Sequence, residues 1–351
     1  MQNANMIRAG ILAVILSLAG LLSWELYLRH AYFTQDDGVI FSYDDNEALW
    51  ADKRDMVYEP ADKSTVFIGS SRMRYDVDIP LWQSITGEHA IQLALDGGDP
   101  RPVLADLADD KNFKGKLLID VTEGLFFYVD DRRSNKQTRY YHNRTPTQKF
   151  SFKVDRFLES QLVFLDQENF ALNIMLGHIG MPRRPGVIPD VAWPVANSFI
   201  SFDRQEYFTA AFLADSTEKN KTKAIWDFFY KEYPDTPVSG KKLDTLILNV
   251  KANVDKIKAR GGQVVFIRTP SSETYRDREN KDYPRRNYWD RLLELTGCQG
   301  IYFEDYPAIA HFTCPEWSHL TPTDAAIFTE NLAHILETEK GWTFNNKKNT
   351  H

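Results

Sequence analysis

The stretch Val66-Phe67-Ile68-Gly69-Ser70-Ser71-Arg72-Met73-Arg74 decides how the chain is read. An apolar, largely β-branched run ends in a glycine and two serines, the pattern of a buried strand that delivers a hydroxyl to the open end of a sheet. Residues 65–68 are therefore the first strand, and Asp78 followed by Pro80 marks a short helix that ends near Gly87. Residues 89–94 form a second strand, followed by Leu95-Asp96-Gly97-Gly98-Asp99-Pro100, where Asp99 caps a helix with Pro100 at its first position. Residues 116–121 form a third strand that leads to Thr122-Glu123-Gly124. Three consecutive strand-loop-helix units predict a parallel sheet with helices on both faces.

The rhythm breaks at about residues 130–242 and then returns. Within this insertion, 150–170 fit one or two helices, and Trp226-Asp227-Phe228-Phe229-Tyr230 suggests another. Four prolines and Gly186 make 181–194 irregular. An insertion of this size either shapes a binding surface or is structural padding. Leu243, Leu246, Ile247, Val250, Val254 and Ile257 then give a helical stripe that stops at Gly261-Gly262. Residues 263–268 are a strand with the exit loop Thr269-Pro270-Ser271-Ser272; 284–296 a helix ended by Gly297; and 301–303 a short strand. The last helix has Thr321 as its cap, Pro322 first, and Ala325, Phe328, Leu332 and Ile335 on one face. The division expected is an anchor over 1–30, a connecting segment over 31–64, an α/β domain over 65–340 and a polar tail over 341–351.

A chain of 351 residues buries a full core, and a net charge of −7 offers no basic footprint, which disfavours nucleic-acid binding. Residues 7–28 are almost uninterruptedly apolar after Arg8, enough to cross a bilayer of about 30 Å. A cleaved signal peptide is the rival, but no small-x-small site follows, and Trp24 and Tyr27 suit the interface of an uncleaved signal anchor. Arg8 against Arg29 specifies orientation weakly; the expectation is a single span in the inner membrane with the body on the extracytoplasmic, periplasmic side. Cys298 and Cys314 lack zinc-ligand spacing. They either remain thiols or, in an oxidising compartment, pair, with a gain of roughly 3 kcal/mol in the chain-entropy model. No metal and no cofactor is expected.

At Glu316-Trp317-Ser318-His319 an acid and a histidine three positions apart open a loop before the final helix. With a serine after the first strand they supply a nucleophile, a base and a carboxylate that fixes the base's tautomer. These blocks resemble the SGNH (GDSL-like) hydrolase superfamily. Gly69-Ser70-Ser71 is similar to its Gly-Asp-Ser block, with Ser71 as nucleophile and Ser70 in the place of the acid. Gln92-Leu93-Ala94-Leu95-Asp96-Gly97 is similar to the second block, whose glycine lends an N–H to the oxyanion hole; this maps to Gly97, with Gly98 a close rival. Glu316-x-x-His319 matches the final Asp-x-x-His with Glu for Asp. The third block, Gly-x-Asn-Asp in the family, is here Val121-Thr122-Glu123-Gly124, so either Thr122 substitutes for the asparagine or the hole has fewer donors.

The resemblance implies a three-layer, flavodoxin-like α/β fold and O-acyl chemistry through Ser71, His319 and Glu316, with an oxyanion hole of Ser71, Gly97 and Thr122. Hydrolysis and transfer both remain open. Within that superfamily, anchored extracytoplasmic members often act with membrane-bound O-acyltransferases to acetylate cell-surface or secreted polysaccharides, so the resemblance implies an acylated carbohydrate or other ester substrate. Arg72 beside the nucleophile and Arg268 at another strand end are candidates to bind an anionic substrate group; the plainer reading is sheet-end charge. Tyr283, Tyr288 and Trp289 read as core rather than a sugar platform. A non-catalytic envelope component that keeps the fold and has lost the third block is the alternative, and a lipase-type esterase a third reading.

Overall fold

Seven strands are present in the computed structural model, which describes residues 2–33, 40–58, 63–128, 134–167, 169–177, 179, 193–234 and 236–345. They are β1 Ser64–Ile68, β2 His89–Gln92, β3 Lys116–Asp120, β4 Ser198–Ile200, β5 Glu206–Phe208, β6 Gln263–Arg268 and β7 Gln299–Tyr302. Five make one parallel sheet in the order β2-β1-β3-β6-β7, and β4 and β5 form a separate antiparallel pair. All five residues of β1 and of β3 are buried, as expected of strands covered on both faces.

The pleat sends alternate side chains to the two faces. Val66, Ile68, Leu117, Ile119 and Phe266 share one core with the helices Arg101–Asp109, Gly240–Ala259 and Trp289–Thr296. Phe67, Leu118, Val265 and Ile267 share the other with Met73, Trp82 and the closing helix Pro322–Thr338. Local signals set most of these helices as the sequence indicates, but Arg101–Asp109 begins one residue later than expected, with Pro100 rather than Asp99 in the cap position and the Arg101 N–H donating back to Asp99 at 2.8 Å. Asp78 caps Ile79–Thr86, which Gly87 ends in a left-handed conformation at φ 68°, and Thr321 caps the last helix with Pro322 first. The stretch 284–296 divides into a single 3₁₀ turn, Arg285–Asn287, and the helix Trp289–Thr296; Tyr283, Tyr288 and Trp289 lie in the core.

Two parts of the expected division change. The segment 31–64 is more than a connection: the helix Glu47–Asp55, capped by Asn46, buries Trp50 and Ala51 in the sheet core, and the Trp50 indole N–H donates to the Leu93 carbonyl at 3.0 Å. The insertion contains the helix Ser134–Asn143, which packs on Glu47–Asp55, and the β4-β5 pair, neither foreseen. Its other helices are Pro146–Glu159, Leu172–Gly177, Ala210–Ala214 and Ser216–Glu232, with a 3₁₀ turn at Val163–Leu165. Of the proline-rich stretch 181–194, residues 181–192 lie outside the described ones.

The amino-terminal helix Gln2–Tyr32 is long and apolar enough over Ala4–Tyr32 to cross a membrane, a property it shares with signal sequences. Its end is docked on the insertion, where Leu28 is buried among Val163, Phe170 and Phe199.

Ser71 follows β1 and Thr122 follows β3, and between these two strands the chain reverses its direction of travel across the sheet. Beyond the carboxyl ends of strands at such a switch point a crevice opens. Gly69 controls the approach: a Cβ there would stand 2.5 Å from the Asp120 Cβ. Gly69→Ala is therefore expected to destabilise the fold by on the order of 1–3 kcal/mol through overpacking. Urea unfolding checks this, and an unchanged midpoint would remove the constraint.

Candidate active site

Ser70 ends the turn after β1 as the cap of the helix Ser71–Asp76, its hydroxyl accepting from the Arg72 N–H at 3.3 Å. Ser71 is thereby the first helical residue, where the sequence indicated only a turn. The Ser70 hydroxyl also lies 3.0 Å from Asp120 Oδ2 and 2.7 Å from the Thr122 hydroxyl, which is itself 3.0 Å from the same carboxylate oxygen. Two hydroxyl protons thus serve three short contacts. Asp120, at the end of β3, thus places a carboxylate beside Ser70.

The loop before the last helix is tied down at both ends. The Leu320 N–H donates to Asp76 Oδ1 at 3.0 Å, and the Ser272 N–H to the Trp317 carbonyl at 2.9 Å. Trp317 and Glu273 both sit in the left-handed region, at φ 83° and 50°, and the Trp317 indole donates to Glu273 Oε2 at 2.8 Å. Such conformations cost of order 1–3 kcal/mol each in non-glycine residues and persist where surrounding contacts fix them.

This loop presents His319 Nε2 at 2.8 Å from Ser71 Oγ and His319 Nδ1 at 3.0 Å from Glu316 Oε1. Glu316 is fully buried and also accepts the N–H groups of Ser318 (3.0 Å) and His319 (2.7 Å) and the indole N–H of Trp226. Burial alone raises its pKa, but the facing imidazole and the hydrogen bonds from His319 and Trp226 outweigh that, leaving the carboxyl below its ordinary range. An ionised Glu316 keeps the proton on Nδ1 and the lone pair of Nε2 toward Ser71, the arrangement in which an imidazole takes a hydroxyl proton.

Tyr75 stacks on the His319 ring at 4.3 Å, and Phe208 and Trp226 each lie 6.2 Å from it. The Tyr75 hydroxyl donates to Glu206 Oε1 at 2.6 Å. Burial, reinforced by Asp96, pushes Glu206 up to about 8 against the opposing pull of Arg74. Glu206, Phe208 and Trp226 all come from the insertion, and no motif tied them to this site. The aromatic run around Trp226 was the sole visible signal.

A cavity of about 880 Å³ opens above these groups. Ser71, Gly97, Thr122, Glu316 and His319 line its sheet side, and Trp193, Trp226, Phe229, Tyr230, Tyr233 and Tyr275 contribute aromatic surface, with Asp96, Asp282 and Arg278 among the charged groups. Gly97, which lines the same cavity as Ser71, takes the left-handed φ of 54° that favours glycine. The Thr122 hydroxyl is engaged by Ser70 and Asp120.

Two further expectations are corrected. Arg72 and Arg268 are buried and do not line the cavity. Arg72 Nη2 donates to Glu279 Oε1 at 2.6 Å; Arg268 donates to Glu123 Oε1 at 3.1 Å and to Glu279 Oε2, which also accepts from Ser271 at 2.6 Å. They form an ion cluster under the site because Glu279, on the helix Glu273–Asp282, reaches them. Cys298 and Cys314 are free thiols, since Cys298 packs against one core of the sheet and Cys314 lies within the other.

Burial would raise the Glu279 carboxyl, but Arg268 and Arg72 hold it down at about 2. A depressed carboxylate contributes stability that is complete above its unfolded value and is lost as pH falls toward its folded one. Wild type should thus lose more unfolding free energy between pH 5 and 3 than Glu279→Gln does. Parallel pH profiles of the two in urea titrations would contradict the cluster's role.

No family model matches the chain, and no curated protein matches it.

Proposed function

We propose that the chain is a membrane-anchored serine esterase or O-acyltransferase of the SGNH type, acting on acylated carbohydrate of the cell envelope or on secreted polysaccharide. The observation that carries this reading is the continuous relay Ser71 Oγ, His319 Nε2, His319 Nδ1, Glu316 Oε1, with steps of 2.8 and 3.0 Å. The sheet order supports it, since five parallel strands arranged second-first-third-fourth-fifth is the flavodoxin-like order. The aromatic lining of the cavity fits flat sugar faces.

In this mechanism His319 removes the Ser71 proton as the serine oxygen attacks an ester carbonyl, and Glu316 stabilises the imidazolium. The N–H groups of Ser71 and Gly97 hold the developing oxyanion. The protonated His319 returns its proton to the departing alcohol, leaving an acyl-Ser71. Water or a sugar hydroxyl, deprotonated in turn by His319, then releases the acyl group. The amino-terminal helix anchors the domain in the inner membrane with the body on the periplasmic side, where an acyl donor or acceptor can be exchanged with a membrane-bound O-acyltransferase.

The second reading, a non-catalytic component of an envelope polysaccharide assembly, is favoured by one observation: the Thr122 hydroxyl is committed to Ser70 and Asp120. A fluorophosphonate probe separates the two. Wild type should label covalently, and Ser71→Ala and His319→Ala should not. Trp226→Phe, which removes a hydrogen bond to a charged group, should slow labelling by roughly 10-fold or more. Wild type that stays unlabelled, or Ser71→Ala that labels equally, would favour the non-catalytic reading.

A further inference from the structure

The helix Pro146–Glu159 has the polarity of a surface helix reversed. Its inner side buries Phe152, Arg156 and Glu159, with Arg156 donating to Glu159 at 2.6 Å and to the Asp44 carbonyl at 2.9 Å. Its outer side presents Phe150, 68% exposed, Val154, 43%, Phe157, 65%, and Leu158, 39%, at helical spacing. A helix facing water carries polar residues in such a stripe. Exposed Lys149, which lies 3.8 Å from Asp55, and exposed Lys153 flank it, with Asp155 the exposed acid on the same helix.

This helix leads directly to the end of the amino-terminal one. The Val163 and Phe164 N–H groups donate to the Glu25 carboxylate at 3.1 and 3.0 Å, and Arg29 donates to Glu25 at 2.7 Å and to the Gln161 carbonyl at 2.9 Å. Residues 7–24, which precede this joint, are apolar apart from Arg8, Ser17 and Ser23, and are largely exposed. At 1.5 Å per residue they extend about 27 Å, close to the hydrocarbon thickness of a bilayer. Glu25 therefore stands at the membrane boundary when that segment spans. On the other side of the joint, the helix Leu172–Gly177 exposes Leu172 and Leu176 while Met175 packs in the cluster that holds Leu28.

We propose that the outer face of Pro146–Glu159, together with Leu172 and Leu176, lies in the headgroup–acyl boundary of the same bilayer, so that the domain rests on the membrane rather than swinging from a tether. This rests on reading the amino-terminal helix as a membrane anchor. Apolar side chains with flanking lysines are the composition of an interfacial helix. Continuity with the apolar span identifies lipid, rather than a second protein, as the occupant. Ile174 and Gly177 of the short helix also line the cavity, so one element faces both lipid and substrate.

The test uses the full chain, carrying Cys298→Ser to remove the half-buried thiol, in vesicles of phosphatidylcholine and phosphatidylglycerol. A polarity-sensitive fluorophore is attached in turn at Leu18→Cys, Phe150→Cys, Phe157→Cys and Lys258→Cys, with nitroxide-bearing lipid as quencher. The expected result is a blue shift and lipid quenching at 18, 150 and 157, and neither at 258. Quenching at 18 with water-like emission at 150 and 157 overturns the interfacial face and leaves the anchor standing. A blue shift at 150 and 157 without lipid quenching overturns it in favour of a second copy covering the face. Absence of quenching at 18 defeats the anchor reading, and this inference with it.

Discussion

A carboxylate that is completely removed from water has to be met by donors on every side, and Glu316 is that group here. Oε1 takes the backbone N–H groups of Ser318 and His319 and the His319 ring, and Oε2 takes the Trp226 indole. The first two contacts fold the loop tightly around the acid. The third fixes the imidazole, and the fourth requires the insertion to be docked. One buried charge thus couples the closing loop of the α/β domain to a helix inserted between its third and fourth sheet strands.

The sheet supplies the opposite wall. Gly69 lets β1 approach Asp120 at the end of β3, and Asp120 gathers Ser70 and Thr122. Ser71 is left at the crevice while its neighbour points inward. Beneath, Glu279 and Glu123 together balance Arg72 and Arg268, and Arg72 Nε reaches the Ser318 hydroxyl at 3.3 Å, linking the ion cluster to the loop that carries His319. Removing one partner of such a buried cluster leaves an uncompensated charge, which is why its members are better placed to hold the site's shape than to bind solutes.

Much of the frame was legible because its signals are local. A cap, a proline and a terminal glycine lie within a few residues of each other at Asp78, Pro80 and Gly87, and the continuous apolar runs within β1 and β3 signal burial on both faces. Ser71, Gly97, Glu316 and His319 were legible because each follows or precedes such an element. What sequence spacing does not encode is which distant side chain arrives. Trp226 meets Glu316, and Glu279 meets Arg72, only through the tertiary fold, so Arg72 and Arg268 read as free sheet-end charges. Cys298 and Cys314 are near in sequence yet lie on opposite sides of the sheet. The helix Glu47–Asp55 was missed because its charged residues mask the single buried surface built on Trp50.

The most direct test of the relay is the identity of the atom that accepts an acyl group. The protein would be mixed briefly with an activated acetate ester, quenched in acid, digested and mapped by mass spectrometry. The account predicts an acetyl group on the peptide containing Ser71, at Ser71 itself, absent when His319 is replaced by alanine. Acetylation confined to other residues, or unchanged by loss of His319, would contradict it.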